Sequence, residues 1–154
     1  MSTPVTLPAI RIRRAVGDDA DVIAEMARTF HAEDGHPLSD LGLTAVMAML
    51  DPDFDQGVIL ILEVEGEIAG YGMLSFGYGI EHGGRETFVE DIFVRSAWRN
   101  CGCGTVLLEA LEAHARLAGC KAVLLEVMPN NPAEHLYRRA GYGDRGSFLM
   151  KKVL

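Results

Sequence analysis

The chain has 154 residues, of which 49% are apolar and 23% charged, so it is long enough to bury the core of one globular domain. Its formal net charge of −8 argues against general affinity for nucleic acid or for an anionic membrane surface. No apolar run approaches the length of a membrane span, and residues 1–14 do not have the order of a signal peptide. These features predict a single cytoplasmic domain over residues 1–154.

The first half of the chain predicts strand, helix and helix in that order. Residues 10–15 alternate apolar and basic side chains, as in a half-buried strand. Asp18 is expected to cap the helix that follows, because apolar residues recur after it with helical spacing. A polar stretch over residues 30–40 then leads to a second short helix, which ends at Asp51-Pro52.

The second half predicts a meander followed by alternating helices and strands. Three β-rich runs, 57–64, 68–78 and 86–94, are separated by turn signals and form an antiparallel meander. A helix over residues 102–118 follows, and then a strand over residues 121–128. Asn131 caps a further helix that ends at Gly141, and residues 147–153 supply a last strand.

The most informative segment is the loop Arg99-Asn100-Cys101-Gly102-Cys103-Gly104, between the meander and the next helix. Two glycines two residues apart let the backbone approach an anion, and the N–H groups of the first helical turn have no partner inside the helix. This pattern is typical of a pyrophosphate site. Position 107 is leucine and the loop has no lysine, so the segment is neither a dinucleotide fingerprint nor a P-loop. A tight turn without a ligand remains the alternative.

Three cysteines, Cys101, Cys103 and Cys120, cannot all pair with one another. The first two lie at a spacing that also occurs in metal and redox sites. The sequence has no second Cys or His cluster that would complete four ligands, so we expect no metal. We interpret the two thiols as small loop residues.

Two motifs in this half carry a resemblance to a known family. The first is the apolar strand Ile92-Phe93-Val94 followed by Arg99-x-x-Gly102-x-Gly104. The second comprises Asn130, Ala133, Leu136, Tyr137, Gly141 and Tyr142. In spacing and order, both resemble the signatures of the GNAT superfamily of acetyl-CoA-dependent N-acetyltransferases. Within it, the run over residues 90–94 is most similar to the polyamine and small-amine acetyltransferases.

The resemblance implies an α+β fold of three layers. Its central sheet would be mixed but mostly antiparallel, with about six to seven strands flanked by helices. The sheet would splay between the strands 86–94 and 121–128, and the pantetheine arm of acetyl-CoA would lie in that gap. Acetyl-CoA would be the co-substrate, without a metal.

The resemblance also implies which residues bind acetyl-CoA. Backbone groups of Ile92 and Val94 would pair with the arm, the pyrophosphate would rest on N–H groups of residues 100–105, and Asn130 would contact the arm near its phosphate end. The expected cofactor-binding residues are Ile92, Phe93, Val94, Arg99, Asn100, Cys101, Gly102, Cys103, Gly104, Thr105, Asn130, Ala133 and Tyr137.

Attack of an amine on a thioester needs a neutral amine, donors aimed at the oxyanion and a proton for the sulfur. The resemblance places a tyrosine near the sulfur, and the match here is Tyr137. A phenol of pKa about 10 stays protonated at neutral pH and can donate to a thiolate of pKa about 8.5. The N–H of Val94 is expected to serve as the oxyanion donor. A purely structural tyrosine is the alternative for Tyr137.

Glu90 is the predicted residue on the amine side. Strand alternation puts Glu90 on one face with Ile92 and Val94, and hence in line with the acetyl group. Asp91 and Phe93 take the other face. A carboxylate of pKa about 4.3 is a poor direct base for an ammonium of pKa about 10. Glu90 is therefore expected to bind the cation and to pass its proton on through water.

Four further carboxylates are weaker candidates for binding the amine: Glu33, Glu81, Asp91 and Glu126. Glu126 lies inside the apolar stretch 122–128, where an unpaired carboxylate would be costly. The histidines near loops, His31, His36 and His82, could act as bases but are interpreted as surface residues.

The leading hypothesis is an enzyme that acetylates a primary amine of a small molecule. A protein N-terminal or lysine acetyltransferase is the alternative within the class. A non-catalytic domain that binds acyl-CoA and regulates a partner is the alternative outside it, and it would need neither Tyr137 nor Glu90. Relatives are often dimers, and an exposed strand edge could form a homodimer here.

Overall fold

The structure, a computed structural model, describes residues 8–154. Residues 1–7, which the sequence assigns to the same domain, lie outside the described part. Over the described range the sheet has five strands: β1 (Ile10–Arg14), β2 (Gly57–Val64), β3 (Glu67–Gly79), β4 (Gly84–Val94) and β5 (Val123–Leu125). They lie in the order β1-β2-β3-β4-β5. The first four pair antiparallel, and β5 pairs parallel with β4.

Residues 8–154 contain four α-helices: α1 (Ala20–Glu33), α2 (Asp40–Ala48), α3 (Cys103–Leu117) and α4 (Glu134–Arg139). The start of α2 is fixed by Ser39, whose hydroxyl accepts from the N–H of Gly42 at 3.0 Å. Among the described residues no helix is long and apolar enough to cross a bilayer.

The two faces of the sheet bury different helices. The α1 face joins α1 and α2 to the sheet through a cluster that contains Ile23, Met26, Val46, Ile59, Ile61, Tyr71 and Phe93. The α3 face packs α3 on the other side through Leu60, Leu62, Leu74, Val89, Leu107 and Leu111. Each fully buried aliphatic side chain of this kind contributes roughly 1.5–3 kcal/mol to folding. The core therefore fixes β4 between two helical layers.

The mixed, mostly antiparallel sheet and the meander are confirmed, but the strand count is five within residues 8–154 rather than six to seven. The predicted strand 121–128 is reduced to the three residues of β5. No strand forms over residues 147–153, where Phe148, Met150 and Val153 are more than 80% exposed. A strand needs a neighbour to pair with, and the short β5 offers little edge.

The helix predicted from Asn131 begins later. The side-chain oxygen of Asn131 accepts from the N–H of Ala133 at 2.9 Å, which makes a turn before α4 rather than a cap on it. Gly141 follows the helix with φ +96°, as expected of a residue that stops one.

Candidate functional site

A gap opens in the sheet where β4 and β5 part. Their parallel ladder ends at the pair Val89 and Leu125, so residues 91–94 pair with β3 alone. The backbone N–H of Arg95 donates to the carbonyl of Ala69 on β3 at 2.7 Å. Since hydrogen-bonding direction alternates along an antiparallel strand, the backbone groups of Val94 and Ile92 point away from β3 and into the gap. The splay expected from the sequence is therefore present, with these two residues on its edge.

Glu90 forms a β-bulge at the start of the gap. Asp91 pairs with Met73 and Val89 pairs with Leu74, so Glu90 is an extra residue on β4. The carboxylate of Glu90 accepts from the hydroxyl of Ser75 at 2.5 Å. Because Leu74 packs on the α3 face, its neighbour Ser75 belongs to the α1 face.

The bulge corrects the predicted arrangement of β4 side chains. Ile92 and Val94 pack on the α3 face and Phe93 on the α1 face, as alternation predicts. The prediction that Glu90 shares the face of Ile92 and Val94 is wrong. One extra residue reverses the alternation, so Glu90 and Asp91 both lie on the α1 face.

The loop over residues 99–105 forms a cradle of backbone N–H groups at the start of α3. Asn100 and Gly102 have φ values of +59° and +86°, which turn the chain sharply into the helix. The N–H groups of residues 103–105 have no partner inside the helix and lie at its positive end. A Cβ added to Gly102 would meet no described atom within 4 Å, so the space before the cradle is open. An anion of the size of a pyrophosphate fits these features.

Arg99 links the cradle to α1 rather than standing free in it. Its Nε donates to the carbonyl of Val94 at 2.7 Å, and its Nη2 donates to Glu33 at 2.9 Å. Arg99, which the sequence assigned to acetyl-CoA, and Glu33, which it assigned to the amine, thus form one ion pair. This ion pair is exposed and contributes under about 1 kcal/mol to stability. The Nε of Arg99 engages the carbonyl of Val94, whereas the N–H of Val94 remains directed into the gap.

The cysteines of the cradle contact each other. The sulfurs of Cys101 and Cys103 are 3.4 Å apart, and Cys103 is buried. Burial raises the pKa of the Cys103 thiol to about 11, so it stays protonated at neutral pH. Within residues 8–154 no group of three or more His, Cys, Asp or Glu side chains is arranged to hold a metal ion.

A hydrogen-bonded triad lies on the α1 face beside the bulge. Asp91 is only 4% exposed, and its Oδ2 accepts from the hydroxyl of Tyr71 at 2.7 Å. The same oxygen lies 3.1 Å from Nε2 of His31, in the last turn of α1. The bond to Asp91 raises the pKa of His31 above its ordinary value against the opposing effect of burial. Burial, followed by the charge of Asp91, raises the pKa of Tyr71 strongly, so its hydroxyl is a permanent donor.

The prediction that His31 is a plain surface histidine is therefore wrong. Its side chain is 27% exposed, and it bonds to a residue 60 positions further along the chain. No local motif marks such a contact. The usable signal was Asp91 itself, because a carboxylate inside a buried strand requires partners.

The remaining carboxylate candidates are dispersed. Glu81 lies in the turn between β3 and β4 and pairs with Arg145 at 2.9 Å. Gly84, where β4 starts after this turn, lies about 20 Å along the strand from Glu90, at roughly 3.4 Å per residue. Glu126 follows the last residue of β5 and is exposed, so the argument from a costly buried carboxylate does not apply to it. Its backbone lies across the gap from Glu90, one step beyond the last ladder pair.

The helix α4 lies against the start of α3. A Cβ on Gly104 would come within 3.3 Å of Cδ2 of Leu136, so the two helices are in close contact at the first turn of α3. The next residue, Tyr137, is 7% exposed, and burial raises its pKa to about 12. Asn130, before this helix, is exposed with φ +64°.

Comparison with known proteins identifies similar chains. The model of the acetyltransferase (GNAT) family matches residues 22–142. A thialysine N-epsilon-acetyltransferase from Mus musculus is 30% identical over 148 residues, covering 90% of this chain and 86% of the relative. An aminoglycoside N(6′)-acetyltransferase type 1 from Stenotrophomonas maltophilia is 26% identical over 132 residues, covering 84% and 82%.

Solved structures share the arrangement of strands and helices. One is AAC(6′)-Iy in complex with a bisubstrate analogue, CoA-S-monomethyl-acetylneamine. It superposes with a TM-score of 0.78 at 19% identity, over 95% of this chain and 99% of that one. At this identity the likeness concerns the fold.

Proposed function

This chain belongs to the GNAT family of acetyltransferases, and from that premise we propose that it acetylates a primary amine of a small molecule. Membership makes it an acetyl-CoA-dependent N-acetyltransferase. The class of acceptor, the roles of individual residues, action as one domain over residues 1–154, a cytoplasmic location and a homodimer are part of the proposal.

One observation carries the proposal: the gap in the sheet separates two chemically different surfaces. The cradle starts α3, which packs on the α3 face, and it offers N–H groups and the positive end of a helix. The bulge places Glu90 and Asp91 on the α1 face. An anionic donor and a cationic acceptor can thus approach from opposite faces and meet at the edge of β4.

The donor would be held by backbone groups. The N–H groups of residues 100–105 would bind the pyrophosphate. The gap-facing groups of Ile92, and the lone pair of the Val94 carbonyl that Arg99 leaves free, would pair with the amides of the pantetheine arm. Asn130 would contact the arm near its phosphate end. Arg99 would act through the loop by anchoring it to Glu33, since its guanidinium is already engaged there.

The acceptor would bind as an ammonium at Glu90. The exposed carboxylate of Glu90 can take a cation while Ser75 holds it in place, and it can pass a proton on through water. The neutral amine then attacks the thioester carbonyl, and the N–H of Val94 donates to the oxyanion. Collapse forms the amide and breaks the carbon–sulfur bond.

Tyr137 would stabilise the leaving sulfur. A phenol of pKa about 12 stays protonated at every pH at which the enzyme would work. It is a weaker acid than a thiol, so its main action is to donate a hydrogen bond to the thiolate as it forms. As the sulfur takes the phenolic proton, Tyr137 takes up a proton that the amine loses. The phenol is therefore neutral again at the end of the step.

Relatives support a small acceptor. The similar proteins are named for acetylation of thialysine and of aminoglycosides, which are small amines. Carboxylates at the acceptor surface suit such cations.

A thiol-release assay tests the proposal. The protein is given acetyl-CoA with one of four acceptors: putrescine, thialysine, an aminoglycoside, or a peptide with a free N-terminus. We expect CoA release with at least one of the three small amines and little with the peptide. Preference for the peptide would support the protein acetyltransferase, and tight CoA binding without release would support the regulatory domain.

A further inference from the structure

The triad of His31, Tyr71 and Asp91 has no role in the mechanism so far. Its carboxylate is buried and is satisfied on one oxygen by two donors. The imidazole adds a titratable group that remains partly open to solvent, next to the residue proposed to bind the amine.

We propose that His31 is the base that accepts the proton of the acceptor ammonium, and that Asp91 positions it. This proposal rests on the proposed amine acetylation. It gives the ammonium proton an acceptor, because Glu90 alone is too weak a base to remove it. Asp91 and Tyr71 act through His31 and are positioning residues.

The geometry selects one tautomer of His31. A neutral imidazole that bonds to a carboxylate through Nε2 carries its hydrogen there, so Nδ1 holds the lone pair. No hydrogen bond within residues 8–154 engages Nδ1. The ring is held edge-on by Phe30, with centroids 5.2 Å apart, which fixes the plane of the lone pair. This combination of an oriented, half-buried imidazole and a buried carboxylate is the arrangement of an effective base.

The proton balance is complete without another reactant. The ammonium loses one proton to Nδ1, directly or through one water, and the nitrogen lone pair attacks the thioester. The second proton leaves the nitrogen after the carbon–nitrogen bond forms and replaces the one that Tyr137 gives to the sulfur. His31 then releases its proton to solvent, and the products are the amide, CoA thiol and one free proton.

Within residues 8–154 the charged groups that shift the pKa of His31 are all acidic. Asp91 and Glu90 approach from β4 and Asp34 from the end of α1, and each favours the imidazolium, whereas burial favours the neutral ring. Tyr71 on β3 stays neutral. As a base His31 must be neutral, so activity should rise with pH through a pKa that lies above the ordinary histidine value.

The variant His31→Gln separates a base from a structural residue. The glutamine amide can still donate to Asp91 but cannot accept a proton. We expect kcat to fall about 100-fold at neutral pH. The defect should shrink to within about tenfold near pH 10, where the amine deprotonates unaided. His36→Gln is the matched control, since His36 is exposed and is expected to change activity less than about twofold.

An NMR titration of the imidazoles gives a readout without activity. We expect His31 in the unliganded protein to titrate above the ordinary histidine value, and Asp91→Asn to lower its pKa. A pH-independent defect in His31→Gln, or a rate near that of wild type, would overturn the base assignment while amine acetylation stands. A pKa of His31 at or below the ordinary histidine value, unchanged by Asp91→Asn, would do the same. Wild-type protein that acetylates none of the small amines would instead overturn both proposals.

Discussion

The two sides of β4 are built in different ways. The proposed donor side consists mainly of neighbouring residues, from the gap-facing backbone of Ile92 and Val94 to the cradle at residues 99–105, with Asn130 and Tyr137 added from the region of α4. The acceptor side assembles His31, Tyr71, Ser75, Glu90 and Asp91 from three elements that are up to 60 positions apart. Backbone groups of a contiguous segment can bind one invariant ligand, whereas side chains from distant elements can diverge to suit different amines. If the two sides are independent, variants on one side should leave the ligand of the other unaffected.

The largest effect is expected where both ligands react. Tyr137→Phe removes the donor to the leaving sulfur, so kcat should fall about 100-fold. The dissociation constant of CoA should stay within about twofold, because the ring remains in place. Steady-state rates with CoA titration calorimetry measure both quantities. Tyr78→Phe, at an exposed position, is the control, and an unchanged kcat in Tyr137→Phe would remove Tyr137 from the reaction.

The donor side is best broken at Gly102. A valine there must adopt φ +86° and fill the open space of the cradle, so CoA affinity should fall about 30-fold, which is about 2 kcal/mol. Gly119→Val is a matched control at the other end of α3, since its φ is +80° and its surroundings are equally open. Both variants should lose similar stability in thermal unfolding. Equal CoA affinities in the two variants would show that the cradle does not bind CoA.

The acceptor side is best tested at Glu90. Glu90→Gln keeps the shape but removes the charge, so the KM for the amine should rise about tenfold, as for loss of one charged hydrogen bond. The KM for acetyl-CoA should not change. Glu67→Gln, on the exposed start of β3, controls for the loss of one negative charge. A rise in the KM for acetyl-CoA alone would contradict the division between the two sides.

The smallest effect concerns stability. Since the pKa of His31 is higher in the folded than in the unfolded state, its pair with Asp91 stabilises the fold below the unfolded pKa. That stabilisation is lost as the pH rises through the folded pKa. The difference in unfolding free energy between wild type and His31→Gln should be about 1 kcal/mol at mildly acidic pH and close to zero at alkaline pH. Urea unfolding at several pH values measures it, and a difference that grows with pH would reverse the sign.

The meander and the start of α3 could be predicted from sequence because their determinants are local. The glycine spacing marked the start of α3, and apolar runs separated by turns marked the meander. The acceptor side could not, for two physical reasons. Alternation fails at a bulge, so Glu90 was assigned to the wrong face, and the contact of His31 with Asp91 depends on tertiary packing. The prediction of a strand over residues 147–153 was wrong because an apolar pattern does not show whether a neighbouring strand is available for pairing.

The bulge at Glu90 does more than carry a carboxylate. The ladder between β4 and β5 stops at Val89, the residue before the bulge, and bulges bend a strand and increase its twist. A change of side chain at this position leaves that bend in place, whereas deleting the residue outright would restore a regular strand. We expect the shortened β4 to pair with β5 over more residues, which would close the gap between the two strands in front of the cradle.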